Sequence, residues 1–275
     1  MMKVEVLLSC MNQKDFSIIE KINIHSDAII VNQCNHNCVK EKKYPFGRVL
    51  MINTTERGLS KSRNMALKYA SGDICVICDD DEVLHSNYAK NLVNAFTNID
   101  ADVLVFNIIS KNIDKRNQEK LFKTVKRIPS YKSYSSVHIA FKRSSIIENK
   151  ISFNEVFGAG SGVYSFAEDS LFFSDIHRKK LKAYVYPMVI ADLYTEGSSW
   201  FIGFDEKYFY DTGAFLAAAY PYLKYAFMWY YPLKLHKKSE ISTFNMIKYM
   251  VCGMNNYKYS YSYESFLKGK KDEYN

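Results

Sequence analysis

The stretch Ile74-Cys75-Val76-Ile77-Cys78-Asp79-Asp80-Asp81-Glu82 sets the architecture expected of this chain. Residues 74–78 form a continuous apolar run rich in β-branched side chains, the pattern of a central strand buried on both faces. Four acids follow it directly. Strand side chains alternate between faces, so Asp79 and Asp81 are expected to point the same way at the strand's C-terminal edge. In open α/β sheets ligands bind at that edge. Adjacent carboxylates repel one another, and a hard divalent cation shared with a phosphate relieves the repulsion. A solvated acidic turn capping the next helix is the alternative for the same residues.

Working outward, Arg57-Gly58-Leu59-Ser60-Lys61-Ser62-Arg63-Asn64 opens a helix just upstream. Ser60 is the expected N-cap, the helix runs to residue 70, and Gly72 suits its C-terminal stop. Three cations at a helix start suit an anionic diphosphate, and an ordinary solvated basic face fits the octapeptide equally well. Earlier still, residues 4–9 read as a strand, 15–21 as a short helix, and 28–31 as an apolar run ending in Asn32-Gln33. A polar loop with Pro45 and Gly47 leads to a third apolar run, 48–52. Beyond the acids, 87–97 is helical in pattern and 103–109, 137–142 and 184–190 are strand-like. Residues 111–132 are polar and read as irregular. Phe157-Gly-Ala-Gly-Ser-Gly162 reads as a mobile loop over a ligand, and a helix with Glu168-Asp169 in its first turn begins near Phe166. The alternation is that of a layered α/β domain with a largely parallel sheet.

At 275 residues, with 48% hydrophobic and 24% charged side chains, the chain is globular and long enough for one large domain or a core with an appendage. Lys and Arg number 37 against 29 acids, a net charge of +8. Residues 207–275 supply +5 of it and carry 19 of the 42 aromatic side chains, so the composition shifts near residue 206. Six cysteines in a chain of this length suggest reduced thiols in a cytoplasm. Residues 6–8 are too short an apolar stretch for an export signal, and the longest uncharged run near the C-terminus, 212–223, is too short to span a bilayer.

The order of these features carries a resemblance. Ser62-Arg63-Asn64-Met65-Ala66, Ser71-Gly72-Asp73 and then Asp79-Asp80-Asp81 resemble the nucleotide-sugar half of family 2 glycosyltransferases, which have the GT-A fold. Ser152-Phe153-Asn154-Glu155, Phe157-Gly158 and Glu168-Asp169 with Phe172 are similar to the acceptor-side motif of that family, and the whole covers about residues 3–200. The resemblance implies an α/β GT-A core over 1–206, with a nucleotide-sugar half to about 110 and an acceptor half over 111–206. Residues 207–275 then form a helical, aromatic-rich extension. It implies Asp81 as ligand of a divalent metal, Mn²⁺ or Mg²⁺, with Asp79 and Asp80 assisting. Arg57 and Arg63 would assist at the diphosphate. Ser9-Cys10-Met11-Asn12 stands where the family often has Pro-Thr-Tyr-Asn along the nucleoside, and only Asn12 matches; Asn32-Gln33 stands where many relatives have a base-reading acid. A uridine donor is the implied choice. Asp169 would be the general base for inverting transfer, with Glu168 as its support or the base itself. The implied acceptor is a lipid-linked saccharide of a bacterial surface or capsular polysaccharide.

Competing readings follow from other residues. Cys34-Asn35-His36-Asn37-Cys38 and Cys75 with Cys78 have metal-like spacings, yet positions i and i+3 of a strand face opposite ways, which opposes a zinc site at Cys75 and Cys78. His138 and His177 read as structural. In the tail, Tyr, Trp and Lys are the side chains of a membrane–water boundary, so peripheral contact with the inner face of a membrane is expected, against packing on the core or on another subunit. Basic charge among aromatics also suits single-stranded nucleic acid, but the tail's cations are scattered lysines without one arginine, so no nucleic-acid partner is expected. A nucleotide-sugar binder without activity is the remaining alternative.

Overall fold

A computed structural model describes residues 2–111, 120–194 and 201–272. Residues 112–119, part of the polar stretch read as irregular, and 195–200, at the end of the segment resembling family 2, lie outside the described residues. In chain order the elements are β1 (Val4–Met11), α1 (Ile18–Ile22), β2 (Asp27–Gln33), β3 (Cys38–Tyr44), β4 (Gly47–Thr54), α2 (Leu59–Tyr69), β5 (Ile74–Asp79), β6 (Glu82–Leu84), α3 (Tyr88–Asn98), β7 (Val103–Ser110), β8 (Lys126–Arg127), β9 (Ile139–Lys142), α4 (Arg143–Glu148), α5 (Glu168–Arg178) and β10 (Ala183–Leu193). The helices α6 (Glu206–Ala219), α7 (Lys224–Met228), α8 (Tyr230–Leu235), α9 (Thr243–Asn256) and α10 (Tyr263–Asp272) follow.

The chain divides into two compact units: residues 1–153 with 172–197, and residues 154–171 with 198–275. The second unit thus starts before the composition shift near 206, and it takes in the glycine-rich segment as well.

The first unit is built on one sheet of order β3-β4-β2-β1-β5-β9-β7-β10-β6, with β8 paired to β10. Strands β4, β2, β1 and β5 are mutually parallel, so Thr54, Gln33, Met11 and Asp79 end at one edge. The parallel block stops at β9, which lies antiparallel between β5 and β7. Every residue of β5 up to Cys78 is at most 1% exposed. Its alternation sends Ile74, Val76 and Cys78 to one apolar layer and Cys75 and Ile77 to the other. The first layer is completed by Ile18, Ile19 and Ile22 of α1 and by Leu92, Ala95 and Phe96 of α3. The second is completed by Ala66 and Leu67 of α2 and by Phe172, Phe173 and Ile176 of α5. Full burial of one such side chain contributes about 1.5–3 kcal/mol, so the two-sided strand is the axis of this core. Cys75 and Cys78 face opposite layers as free thiols, as their spacing required.

Two local expectations change. The polar stretch after Gln33 contains a strand, β3, whose Val39 to Lys43 are all exposed; its pairing with β4 supplies the order that its side chains do not signal. Lysine-rich edges of this kind resist pairing with other chains. Gly72 does not cap α2, which begins at Gly58 instead of Ser60 and ends at Ala70. Gly72 is required because a Cβ there would lie 2.7 Å from the Cβ of Glu5, whose carboxylate accepts the N–H groups of Ser71 and Gly72.

The second unit is helical. α6 and α9 approach until backbone meets backbone: a Cβ at Gly213 would stand 1.9 Å from the Met250 carbonyl oxygen, and one at Gly253 would stand 1.9 Å from that of Tyr210. Asp205 caps α6 through the Tyr208 N–H, and Ser242 caps α9 through the Asn245 N–H. Pro221 lies in the break after α6, and Pro232 sits in the first turn of α8, where a missing N–H costs least.

Candidate active site

The edge formed by the ends of β1, β2, β4 and β5 gathers most of the expected donor-side residues. Register places Ser9 beside Asp79, Cys10 beside Asn32, and Asn32 beside Asn53. Cys10 is buried, and desolvation pushes its thiol up to about 12, so it contributes shape to this edge, not reactivity. Asn12 is exposed with φ +54, turning the chain away as β1 ends, and its N–H donates to the Gln33 carbonyl. The Asn32 carboxamide is buried and engaged at both ends: its oxygen accepts from Gln13 N (2.8 Å), while Nδ2 donates to Gln13 O (2.8 Å) and Asn53 Oδ1 (2.6 Å). Gln33 Oε1 accepts the Gly58 N–H at 2.8 Å and so docks the start of α2. Arg57 donates to the carbonyls of Cys34 (2.9 Å) and Thr55 (3.0 Å) and to Asn35 Oδ1 (3.1 Å). Asn32, Gln33 and Arg57 therefore hold the rim of the edge in shape.

The four acids differ more in state than their adjacency suggests. Asp79 ends β5, and its carboxylate is held by Arg63 Nη2 at 3.0 and 3.3 Å. That guanidinium is 3% exposed and lies 5.3 Å over the Phe153 ring. Asp80 and Asp81 form a turn, not a strand continuation, so the expected alternation stops at Asp79. Lys21 Nζ donates to the Asp80 carbonyl (2.6 Å), and Tyr194 N donates to the Asp81 carbonyl (2.8 Å), which pins the turn from two sides. Burial raises the Asp81 carboxyl, with Asp80 adding to it. Glu82 begins β6 and is 1% exposed, with neither carboxyl oxygen hydrogen-bonded. Desolvation, reinforced by Asp79, pushes it well above the usual carboxylate range. Repulsion within the cluster is thus relieved in part by Arg63, which pairs with Asp79. The sequence counts Glu82 only as a fourth acid; its burial comes from pairing with β10, where it stands opposite Leu193.

On the second unit, residues 158–164 of the glycine-rich segment make a hydrogen-bonded turn. Gly158 N donates to Tyr164 O, Ser161 N to Gly158 O, and Ser161 Oγ to Tyr164 O. Gly158, Gly160 and Gly162 have φ of 103°, 73° and 76°, which glycine alone adopts readily. A Cβ at Gly158 would also stand 3.0 Å from the Glu168 carboxyl carbon, so the glycine makes room for that carboxylate. Glu168 and Asp169 open α5, where the positive end of the helix dipole favours anions. A cavity of about 400 Å³ on this unit is lined by residues 158–165, Ile202, Lys207 and Glu264. Lys207 bridges to Asp211 Oδ2 at 3.0 Å, and that oxygen also accepts the Ser165 N–H.

Residues 27–160 match the family model described as Glycosyl transferase family 2. Over those residues the chain matches family 2 glycosyltransferases. Its fold is shared with solved structures of TarS from S. aureus, residues 1–349. The complex with UDP-GlcNAc has 16% identity and a TM-score of 0.58, covering 95% of this chain and 74% of that one. The complex with UDP has 14% identity and a TM-score of 0.59, covering 98% and 92%. At such identities the likeness shows the GT-A architecture. No curated protein matches the sequence. The glycosyltransferase match contains Arg57, Arg63 and the acid turn, and it ends before Glu168 and Asp169.

Glycosyltransferases of this family typically use a divalent metal. Among the described residues no three His, Cys, Asp or Glu side chains are grouped to enclose one. Mg²⁺ and similar hard cations need only one or two carboxylates when substrate phosphates complete the shell. The half-buried Asp81 on a pinned turn, with Arg63 already neutralising Asp79, fits that mode. His138 Nδ1 and His177 Nε2 are engaged with the carbonyls of Phe106 and Lys132, in keeping with structural roles.

Proposed function

We propose that this glycosyltransferase is an inverting, hexosyl-transferring enzyme that moves a sugar from a nucleoside-diphosphate donor, UDP-linked, to a hydroxyl of a lipid-linked saccharide in bacterial surface polysaccharide synthesis. The observation that carries the donor side is the acid turn at the ends of the parallel strands, pinned by Lys21 and Tyr194. Solved TarS structures that share the fold are complexes with UDP-GlcNAc and UDP, which favours a uridine donor. Asp81 would hold the divalent cation, Mn²⁺ or Mg²⁺, with Asp79 and Asp80 nearby; when bound, such a cation offsets charge growing on the leaving diphosphate.

Cys10, Asn12, Asn32 and Gln33 shape the nucleoside rim, and Arg57 braces it. Arg63 orients the Asp79 carboxylate. Asp169 is the general base, taking the proton from the acceptor hydroxyl as its oxygen attacks the anomeric carbon from the side opposite the diphosphate. One carboxylate suffices for that direct displacement, and Glu168 supports it. The acceptor's lipid sets the enzyme on the cytoplasmic face of a membrane.

The test is a transfer and donor-hydrolysis screen over several nucleotide sugars with Mn²⁺ or Mg²⁺, run with Asp169→Asn and Asp81→Asn. Asp169→Asn is expected to abolish transfer while nucleotide binding persists, and Asp81→Asn to abolish metal-stimulated binding. Substantial turnover by Asp169→Asn, or a product that retains configuration, sinks the assignment of base or mechanism respectively.

A further inference from the structure

Seven large apolar side chains are exposed within residues 222–233: Tyr222, Leu223, Tyr225, Phe227, Trp229, Tyr230 and Leu233. They are not spare core residues. Met228, Pro232 and Leu235 are the buried positions of this segment, at helical spacing, and Met228 and Leu235 join the apolar cluster of α6 and α9. The inward face is therefore occupied, and the aromatics face outward because the other side of α7 and α8 is taken. Monomeric surfaces rarely leave so many large apolar groups close together without a partner.

The cations among them identify the partner. Lys224 Nζ lies 5.2 Å over the Tyr225 ring and Lys234 Nζ lies 5.2 Å over the Tyr230 ring, while Lys237 and Lys238 are exposed just beyond. The segment between residues 222 and 238 contains no acid. Lysine is depleted from protein–protein interfaces, whereas Tyr, Trp and Lys together occupy the headgroup layer of a bilayer. Short helices with such a face lie in the interfacial plane, and among the described residues no helix is long and apolar enough to cross.

We infer that α7 and α8 form an interfacial anchor for an anionic lipid surface, with Leu223, Trp229 and Leu233 entering the headgroup–acyl boundary and Lys224, Lys234, Lys237 and Lys238 contacting lipid phosphates. The inference deepens the membrane location proposed above and rests on it for its biological setting; vesicle binding without donor or acceptor reads it separately from sugar transfer. The experiment is co-sedimentation of the full chain with vesicles of phosphatidylcholine alone and of phosphatidylcholine mixed with phosphatidylglycerol. Trp229 emission is followed in a Trp200→Phe background.

Binding to the anionic vesicles with a blue shift of Trp229 is expected. Replacing the four lysines by Gln should weaken binding about fivefold per residue, and Leu223→Asp with Leu233→Asp about tenfold or more. Circular dichroism and melting confirm that these surface variants fold. Equal binding to both vesicle types, binding unchanged by both sets of substitutions, or a dimer in sedimentation velocity that the leucine substitutions dissolve would each overturn the anchor. The dimer would assign the face to a second copy. None of these outcomes bears on soluble donor hydrolysis, which tests the transferase reading by itself.

Discussion

Arg63→Met removes the guanidinium that lies 3.0 and 3.3 Å from the two Asp79 oxygens and 5.3 Å over the Phe153 ring. Breaking a fully buried ion pair by deleting one partner costs about 3–5 kcal/mol, because a charge is left without its counterion. The Arg63 side chain is 3% exposed, but that of Asp79 is 25% exposed, so water recovers part of the carboxylate's hydration. The expected loss for Arg63→Met is accordingly about 2–3 kcal/mol, below the buried-pair range. Asp79→Asn leaves the more deeply buried partner, the guanidinium, and should cost about 3 kcal/mol. The double variant restores charge balance, so the two losses should fail to add by about 1–2 kcal/mol. Urea unfolding followed by circular dichroism gives all four corners of the cycle. Arg63→Lys is a demanding control, since an ammonium lacks the planar face that lies over Phe153 and should not restore the coupling in full. A coupling within about 0.5 kcal/mol of zero, the scatter of independent sites, refutes the claim that Arg63 neutralises Asp79.

Two further outcomes follow from the second unit. Gly213→Ala and Gly253→Ala each put a Cβ into opposing backbone, which cannot yield as a side chain can, and each should destabilise by at least about 1–3 kcal/mol, read as a lowered urea midpoint. Asp211 is buried with Oδ1 unbonded, and desolvation raises its carboxyl despite Lys207. A raised carboxyl means that the unfolded chain ionises first, so this residue's contribution is complete below the ordinary carboxylate pKa and declines as pH rises toward the folded value. Asp211→Asn should flatten that decline, which begins above the ordinary carboxylate pKa of about 4; an unchanged stability profile refutes it.

Much of the donor half was legible. The unbroken apolar run 74–78 has only one comfortable environment, a strand buried on both sides, and the acids after it had to emerge at the sheet edge. The family motifs were legible for the same reason, being local and in fixed order. Strand β3 was hidden because Lys40, Glu41, Lys42 and Lys43 carry no apolar alternation; only pairing with β4 orders them. The insertion of β9 between β5 and β7 is equally silent, since four residues with no turn signal cannot reveal which distant strands they join.

The site divides along the same line. Residue type and spacing, which are properties of the chain, determined where the acids, the basic helix start and the Glu168-Asp169 pair would fall, and where the aromatic lysine-rich tail begins. Their chemical states depend on what is brought near from far along the chain. The sheet pairing with β10 strips water from Glu82, and α2 delivers Arg63 to Asp79. Gln13 and Asn53 together engage the Asn32 amide, and the α6–α9 pairing leaves α7 and α8 with aromatics facing outward. Charge state and exposure are set by burial and partners, and neither exists until the fold has formed.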